Sequence, residues 1–152
     1  MTHKIRKAKL EDAGPLSDLI RATLYISNIG DYGEENIKRV AENLDPNAMA
    51  NLIQTRFVLV AENDGQISGT AAHFEQSART VFVHPDLQNS GLGRKLMQRI
   101  ISRSIDLNED HLTVTSSIFA QPFYSKLGFE TLKELWHGDE RTFLMRLDHP
   151  SP

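Results

Sequence analysis

The sequence predicts a mixed α/β fold, in which a sheet of several strands carries helices packed against it. Strand-like and helix-like segments alternate along the whole chain, without a low-complexity segment, a linker or an internal repeat. Two short turns containing glycine each join a pair of strand-like segments, and a glycine-rich turn opens the longest amphipathic helix. A chain of 152 residues fits one domain with a real core, so we expect residues 1–152 to form a single domain.

The first half of the chain predicts one strand followed by a group of helices. Residues 4–10 read as a strand, and Asp12 is placed to cap a helix that has Pro15 in its first turn. Further helices are predicted at about 34–44 and from Asp45-Pro46 onward. The helices bury residues at helical spacing, namely Leu16, Leu19, Ile20, Thr23, Leu24, Ile37, Val40, Ala41, Leu44, Met49, Leu52 and Ile53.

The second half is richer in strands. Strands near 56–63 and 66–74 flank Asn63-Asp64-Gly65, and Asp-Gly suits a tight hairpin turn. A strand at 78–84 ends at Pro85, and a strand at 111–116 leads to a short helix at 119–127 that stops at Gly128. A hairpin of 129–137 and 140–148, turned by Gly138-Asp139, closes the chain. The long helix at 91–107 has the apolar stripe Leu92, Leu96, Met97, Ile100, Ile101 and Leu107.

Composition excludes several classes of function. The net charge of −3 argues against an electrostatic grip on nucleic acid or on an acidic membrane. The absence of cysteine excludes disulfides, thiolate metal sites and a cysteine nucleophile. The six histidines show no i,i+3 or i,i+4 pair, so we expect no metal. The longest clear apolar run, 57–61, is too short to cross a membrane, and the N-terminus has no apolar signal region, so we expect a cytoplasmic protein.

The glycine-rich turn is the most informative segment. Gln88-Asn89-Ser90-Gly91-Leu92-Gly93 follows a strand and opens a helix, where free N–H groups and the helix dipole favour an anion. Two better-known phosphate-binding motifs are absent. A dinucleotide-binding fingerprint would need glycine where Leu96 stands, and a P-loop would need a Gly-Lys-Ser/Thr run, which the sequence lacks. On the two glycines alone, a simple tight turn is an equal interpretation. Positive charge on the same helix comes from Arg94, Lys95, Arg99 and Arg103.

Two motifs in register carry a family resemblance. The spacing Gln88-x-x-Gly91-x-Gly93 resembles the coenzyme A-binding motif of the GNAT superfamily of acyl-CoA-dependent N-acyltransferases. The segment 120–129, Ala-Gln-Pro-Phe-Tyr-Ser-Lys-Leu-Gly-Phe, is similar to that family's Ala-x-x-Phe-Tyr-x-x-x-Gly-Phe segment. Their order and flanking elements agree across about 78–147. The resemblance implies the GNAT fold, a central mixed, mostly antiparallel sheet of six to seven strands flanked by about four helices.

The resemblance also implies a site for acetyl-CoA as co-substrate. The strands at 78–84 and 111–116 would separate and admit the pantetheine arm, and the N–H groups of residues 88–94 would hold the pyrophosphate. Arg94 or a nearby lysine would meet the 3′-phosphate at the adenine end. Ser117 stands where many family members carry asparagine, but its hydroxyl can still donate and accept. The cofactor-binding residues implied are Phe82, Val83, Gln88, Asn89, Ser90, Gly91, Leu92, Gly93, Arg94, Ser117 and Tyr124.

Tyr124 is the catalytic residue that the matched motif implies. A phenol with an ordinary pKa near 10 stays protonated at neutral pH and can donate its proton to the departing thiolate; the alternative is that the ring only packs in the core. Candidate bases for the acceptor amine are Glu62, His73, Glu75 and His84. Tyr25, Tyr32 and Phe74 are candidates to line the acceptor pocket and equally candidates for packing, whereas Trp136 and Phe143 are expected in the core or at an interface.

These observations predict an N-acetyltransferase that moves an acetyl group from acetyl-CoA to a primary amine. Because no cysteine can carry the acyl group, direct attack is favoured over a covalent route. The alternative is a non-catalytic acyl-CoA-binding regulatory module. A nucleic-acid-binding domain that uses the basic helix at 94–103 conflicts with the net acidic charge. The acceptor, the length of the acyl chain, and the choice between monomer and homodimer stay open.

Overall fold

The computed structural model describes residues 3–28, 33–138 and 140–150. Five α-helices and seven strands occur in these ranges. In chain order they are β1 (Lys4–Lys7), α1 (Ala13–Thr23), α2 (Glu34–Glu42), α3 (Pro46–Thr55), β2 (Phe57–Asn63), β3 (Gln66–Phe74), β4 (Ser77–Val83), α4 (Leu92–Asp106), β5 (His111–Ser117), α5 (Gln121–Lys126), β6 (Glu130–His137) and β7 (Glu140–Asp148). Short 3₁₀ turns span Leu10–Asp12 and Pro85–Leu87, and α1 runs on into a π-helical turn at Leu24–Asn28.

The strands form one sheet in the order β1-β2-β3-β4-β5-β7-β6. Every neighbouring pair is antiparallel except β4 and β5, which are parallel because α4 connects them as a crossover. The prediction of a mixed α/β fold with a mostly antiparallel sheet is therefore confirmed.

Both faces of the sheet are covered by helices. Alternate residues of a strand point to opposite faces. Leu59 and Ala71 thus pack with α4 in one cluster, while Val58 and Ala72 pack with α1–α3 in the other. On α4 the buried positions Leu96, Met97 and Ile100 recur at helical spacing and are fully shielded from solvent.

The predicted hairpins form. Asp64 and Gly65 connect β2 to β3 with φ angles of 52° and 80°, as a two-residue turn of this type requires. In the last hairpin His137 pairs with Glu140, and Gly138 has φ 63°. Asp139, the second predicted turn residue, lies outside the described residues.

Asp12 differs from its predicted role as a side-chain cap. It occupies the residue before α1, but its carboxylate makes no capping bond to that helix. Instead it accepts hydrogen bonds from the Arg6 guanidinium at 2.8 and 3.0 Å and from the Lys9 N–H at 2.7 Å. The hydrogen bond from Arg6 is the main cause that lowers the pKa of Asp12. The Asp12 carboxylate is therefore bound to the charged Arg6 side chain instead of capping the N–H groups of α1. The predicted strand at 4–10 ends earlier, at Lys7, because a 3₁₀ turn follows at Leu10–Asp12.

Two further boundaries were predicted wrongly. Leu107 is the residue after the last turn of α4 and is 51% exposed, so it lies outside the buried stripe. The short helix begins at Gln121 rather than at 119, and Phe119 before it is 53% exposed. In both cases the helix is shorter than its sequence periodicity suggested.

Candidate active site

The sheet opens between its two parallel strands. β4 and β5 pair only at Ser77–Thr113 and Ala78–Val114. Beyond this point the pairing of β4 with β3 is interrupted by an irregularity, where Thr80 has φ 52°. An extra residue in one strand bends it and re-aims the backbone. The later part of β4 therefore leaves a gap beside β5, as predicted.

The open side of β4 presents the backbone of Val83. The N–H of His84 donates to the Ser68 carbonyl at 2.8 Å. Hydrogen-bonded and non-hydrogen-bonded pairs alternate in an antiparallel ladder, so Phe82 bonds towards β3 and Val83 points away from it. The Gln88 side-chain amide donates to the Val83 carbonyl at 3.3 Å, which fixes the glycine-rich turn against the open strand.

The glycine-rich turn presents backbone N–H groups without acceptors. Gly91 precedes α4 in the left-handed region, with φ 92°, and its carbonyl accepts the first helical bond, from Lys95. Within the described chain no acceptor meets five N–H groups, those of Asn89, Gly91, Leu92, Gly93 and Arg94. Converging N–H groups at a helix N-terminus suit a phosphate. The residues present therefore fit the pyrophosphate of coenzyme A.

The side chains of this turn play unequal parts. Leu92 is 4% exposed and packs in the core, so only its backbone reaches the turn surface. The Ser90 hydroxyl donates to the Leu87 carbonyl. A Cβ added to Gly93 would lie 3.3 Å from the Phe123 ring, so glycine permits close packing of α4 against α5.

Two cavities border the opening between β4 and β5. The smaller cavity, about 490 Å³, borders the glycine-rich turn and includes Gln88, Asn89, Gly91, Gly93 and Arg94. The larger cavity, about 560 Å³, borders most of β4, the later part of β5 and the start of β7. Five residues line both cavities, namely Val81, Phe82, Ser117, Ala120 and Tyr124.

Tyr124 lies where the two cavities meet. It is 4% exposed, and its ring packs edge-on against Phe123 and Phe129 at centroid distances of 5.0 and 5.7 Å. The hydroxyl makes no hydrogen bond with any part of the chain that the structure describes. Burial raises the pKa of Tyr124 above its ordinary value, because an apolar setting disfavours the phenolate. The phenol therefore stays protonated and keeps a proton to donate.

Ser117 contributes a second hydroxyl at the junction. Its oxygen accepts the Ala120 N–H at 3.0 Å and so shapes the turn into α5. The hydroxyl proton is not donated to any described residue, so it remains available to a ligand.

The four candidate bases are placed differently. Glu62 accepts from Arg6, and the buried His73 lies 2.8 Å from Glu109, so both belong to other contacts and neither lines a cavity. His84 accepts the Asp86 N–H and also lines neither cavity. Glu75 lines the larger cavity.

Of the cationic and aromatic residues named from the sequence, some line a cavity and others do not. Arg94 lines the smaller cavity, whereas Lys95, Arg99 and Arg103 line neither. Arg103 stacks on the Phe57 ring at 3.9 Å. Tyr25, 39% exposed, lines neither cavity, and Tyr32 lies outside the described residues. On the last hairpin Phe143 packs partly against the core, while Trp136 is 61% exposed.

Sequence reasoning missed several charged residues that line these cavities. Lys126 borders the smaller cavity, and Arg56, Arg79 and Glu140 border the larger one. Lys126 lies within the segment 120–129 that matches the family motif, so its place in that motif could have marked it as a candidate near the cofactor site. The other three come from separate elements, and only the fold brings them together.

No group of three or more histidine or acidic side chains in the described ranges is arranged to hold a metal ion. None of the helices described is long and apolar enough to cross a membrane.

The donor-rich turn, the open part of β4 and the buried phenol of Tyr124 all border the smaller cavity. Residues 28–144 match the family model described as the acetyltransferase (GNAT) domain. The chain therefore belongs to the GNAT acetyltransferase family, and the family resemblance seen in the sequence is confirmed.

Known proteins agree with this assignment. The chain is 28% identical over 103 residues to the uncharacterized N-acetyltransferase YafP of Escherichia coli, covering 68% of this chain and 65% of the relative. It is 30% identical over 112 residues to the L-amino acid N-acyltransferase MnaT of E. coli, covering 67% and 63%. The chain thus spans a little under two thirds of the length of either relative.

A solved structure supports the fold. The PaiA N-acetyltransferase of Thermoplasma acidophilum, in complex with coenzyme A, superposes with a TM-score of 0.85 at 20% identity. The match covers 98% of this chain and all of that one.

Proposed function

We propose that this chain transfers an acetyl group from acetyl-CoA to a primary amine by direct attack. The carrying observation is the position of Tyr124, a protonated phenol at the junction of a cavity that borders the glycine-rich turn and a second, separate cavity. Two substrates that enter from different cavities would meet where the two cavities share their lining, and Tyr124 belongs to that shared lining.

The free N–H groups of the turn would hold the pyrophosphate of the donor, with Arg94 and Lys126 beside it. The Val83 backbone on the open strand would align the pantetheine arm, much as an added strand pairs with a sheet edge. The Val83 N–H on that strand can also polarise the thioester carbonyl. Acetyl-CoA supplies the reactive thioester.

The chemistry requires the nitrogen to lose two protons and the departing sulfur to gain one. The amine must first lose a proton, since its ordinary pKa is near 10.4. Glu75 and Glu140 line the larger cavity, so either can accept that proton directly or through water. The nitrogen then forms the bond to the carbonyl carbon and gives its second proton to the base or to solvent, the carbon–sulfur bond breaks, and Tyr124 gives its proton to the sulfur. Solvent or the base returns a proton to Tyr124.

Binding to the glycine-rich turn is tested by titrating acetyl-CoA into wild type, Gly91→Glu and Gly65→Glu. Gly65 is a matched control, because both glycines have positive φ (92° and 80°) and neither Cβ would meet an atom within 4 Å. We expect only Gly91→Glu to lose binding. Folded wild type that fails to bind, or equal loss in both variants, would contradict the proposal.

Turnover is tested with a panel of amines. Because the chain has no cysteine, a thiol reagent detects released coenzyme A without a protein background. Turnover separates the proposed enzyme from an acyl-CoA-binding regulatory module, which would bind the donor and release no thiol.

A further inference from the structure

Two arginines that line the larger cavity lie close to one aromatic ring. The Arg56 and Arg79 guanidiniums lie 5.3 and 5.6 Å from the centre of the Phe74 ring. Arg56 follows α3, and Arg79 is on β4, so two separate elements converge here. A ring face attracts a cation, and this arrangement holds both side chains in place.

Neither arginine has an acidic partner. Among the described residues Arg56 and Arg79 form no ion pair and no side-chain hydrogen bond, in contrast to Arg6, Arg141 and Arg146. Burial lowers the pKa of Arg56, and the positive charge of Arg79 lowers it further. Two neighbouring cations, one of them partly buried, repel each other, and a bound anion would relieve that repulsion.

The pair shares its cavity with the junction of the active site. The larger cavity runs from Arg56 and Arg79 to Phe82 and Tyr124. An anionic group bound to the arginines would therefore belong to a molecule that reaches Tyr124 from the side opposite the glycine-rich turn. Guanidinium groups bind carboxylates with two parallel hydrogen bonds, which orients the ligand as well as holding it.

We propose that Arg56 and Arg79 bind the carboxylate of the acceptor, which is a small amino acid or related amino carboxylate rather than a simple amine. The proposal rests on the proposed acetyl transfer. Glu75 and Glu140 line the same cavity and suit the cationic amine of such an acceptor. They also disfavour an acceptor with additional negative charge.

The test compares acceptors that differ only in the carboxylate. Thiol release is measured with L-amino acids, their amides, their decarboxylated amines and an aminoalkyl phosphate. We expect kcat/KM to be at least about 10-fold higher for the amino acids, mostly through KM. Equal rates for acids and amides, or a preference for the phosphate, would overturn the carboxylate site and leave acetyl transfer intact.

Variants assign the effect to the two side chains. Arg56→Gln and Arg79→Gln should each lower kcat/KM for the preferred amino acid by about 10- to 100-fold, while the rate with its amide stays within about threefold. Arg21→Gln, on the exposed side of α1 and outside both cavities, is the matched control. Unchanged acetyl-CoA affinity shows that each variant is folded. Variants that discriminate acid from amide as well as wild type does would refute the assignment.

The outcomes also separate this proposal from the one before it. Acetyl-CoA binding without turnover of any amino carboxylate would overturn the acceptor assignment alone. Absence of both binding and turnover would overturn the acetyltransferase function and the acceptor assignment together.

Discussion

Replacing Tyr124 with phenylalanine removes a single oxygen atom from the junction of the two cavities. The ring keeps its edge contacts with Phe123 and Phe129. Because the hydroxyl makes no hydrogen bond with the described chain, no buried partner loses a bond. We therefore expect the free energy of unfolding to change by less than about 1 kcal/mol.

The effect on the rate should be much larger. A positioned general acid typically contributes about 10²- to 10⁴-fold, which corresponds to about 2.7–5.4 kcal/mol of activation free energy at 1.36 kcal/mol per factor of ten. We expect kcat to fall within this range while the affinity for acetyl-CoA stays unchanged. Because burial raises the pKa of Tyr124, its ionisation should not cause a loss of wild-type activity below pH 10.

The assay is steady-state thiol release, with acetyl-CoA affinity measured by titration and stability by urea unfolding. Tyr25→Phe is the matched control, since Tyr25 is exposed and lines neither cavity. A kcat within about threefold of wild type, under conditions where solvent viscosity does not alter the rate, would refute the role of Tyr124 as general acid.

Two other substitutions test features away from the junction. Gly128→Ala should lower the free energy of unfolding by about 1–2 kcal/mol, since Gly128 has φ 102° and an added Cβ would lie 3.2 Å from Leu147; an unchanged urea midpoint would contradict this. Although burial raises the pKa of Glu109, hydrogen bonds from Ser104 and His73 outweigh burial and hold it below the ordinary value. Its stabilising contribution is thus present above about pH 4.3 and is lost as the pH falls through the lowered pKa, so wild type should lose stability with acid more steeply than Glu109→Gln; parallel curves would exclude the linkage.

Local patterns predicted the elements that depend on short-range chemistry. The Asp64-Gly65 turn forms because its residues tolerate positive φ, and α4 begins after Gly91 for the same reason. The buried stripe of α4 followed from helical spacing. These features need only neighbouring residues to specify them.

Features that depend on distant partners were harder to predict. Asp12 has the sequence position of a helix cap, but its carboxylate accepts hydrogen bonds from Arg6, a residue on another element. Thr80 gives no sequence signal for its positive φ, because that angle follows from unequal pairing with β3. Arg56 and Arg79 lie 23 positions apart in the sequence, and only their common contact with Phe74 reveals the cavity they share.

The narrow connection between β4 and β5 bears on the cooperativity of unfolding. A sheet joined by two residue pairs could separate into two independently melting parts. The hydrophobic cluster around α4 prevents such separate melting. In this cluster Ala71 from β3, Leu112 from β5 and Met145 from β7 pack together with Ile100 of α4. Loss of either part would expose that shared cluster. The gap can therefore exist within a chain that we expect to unfold in a single calorimetric transition.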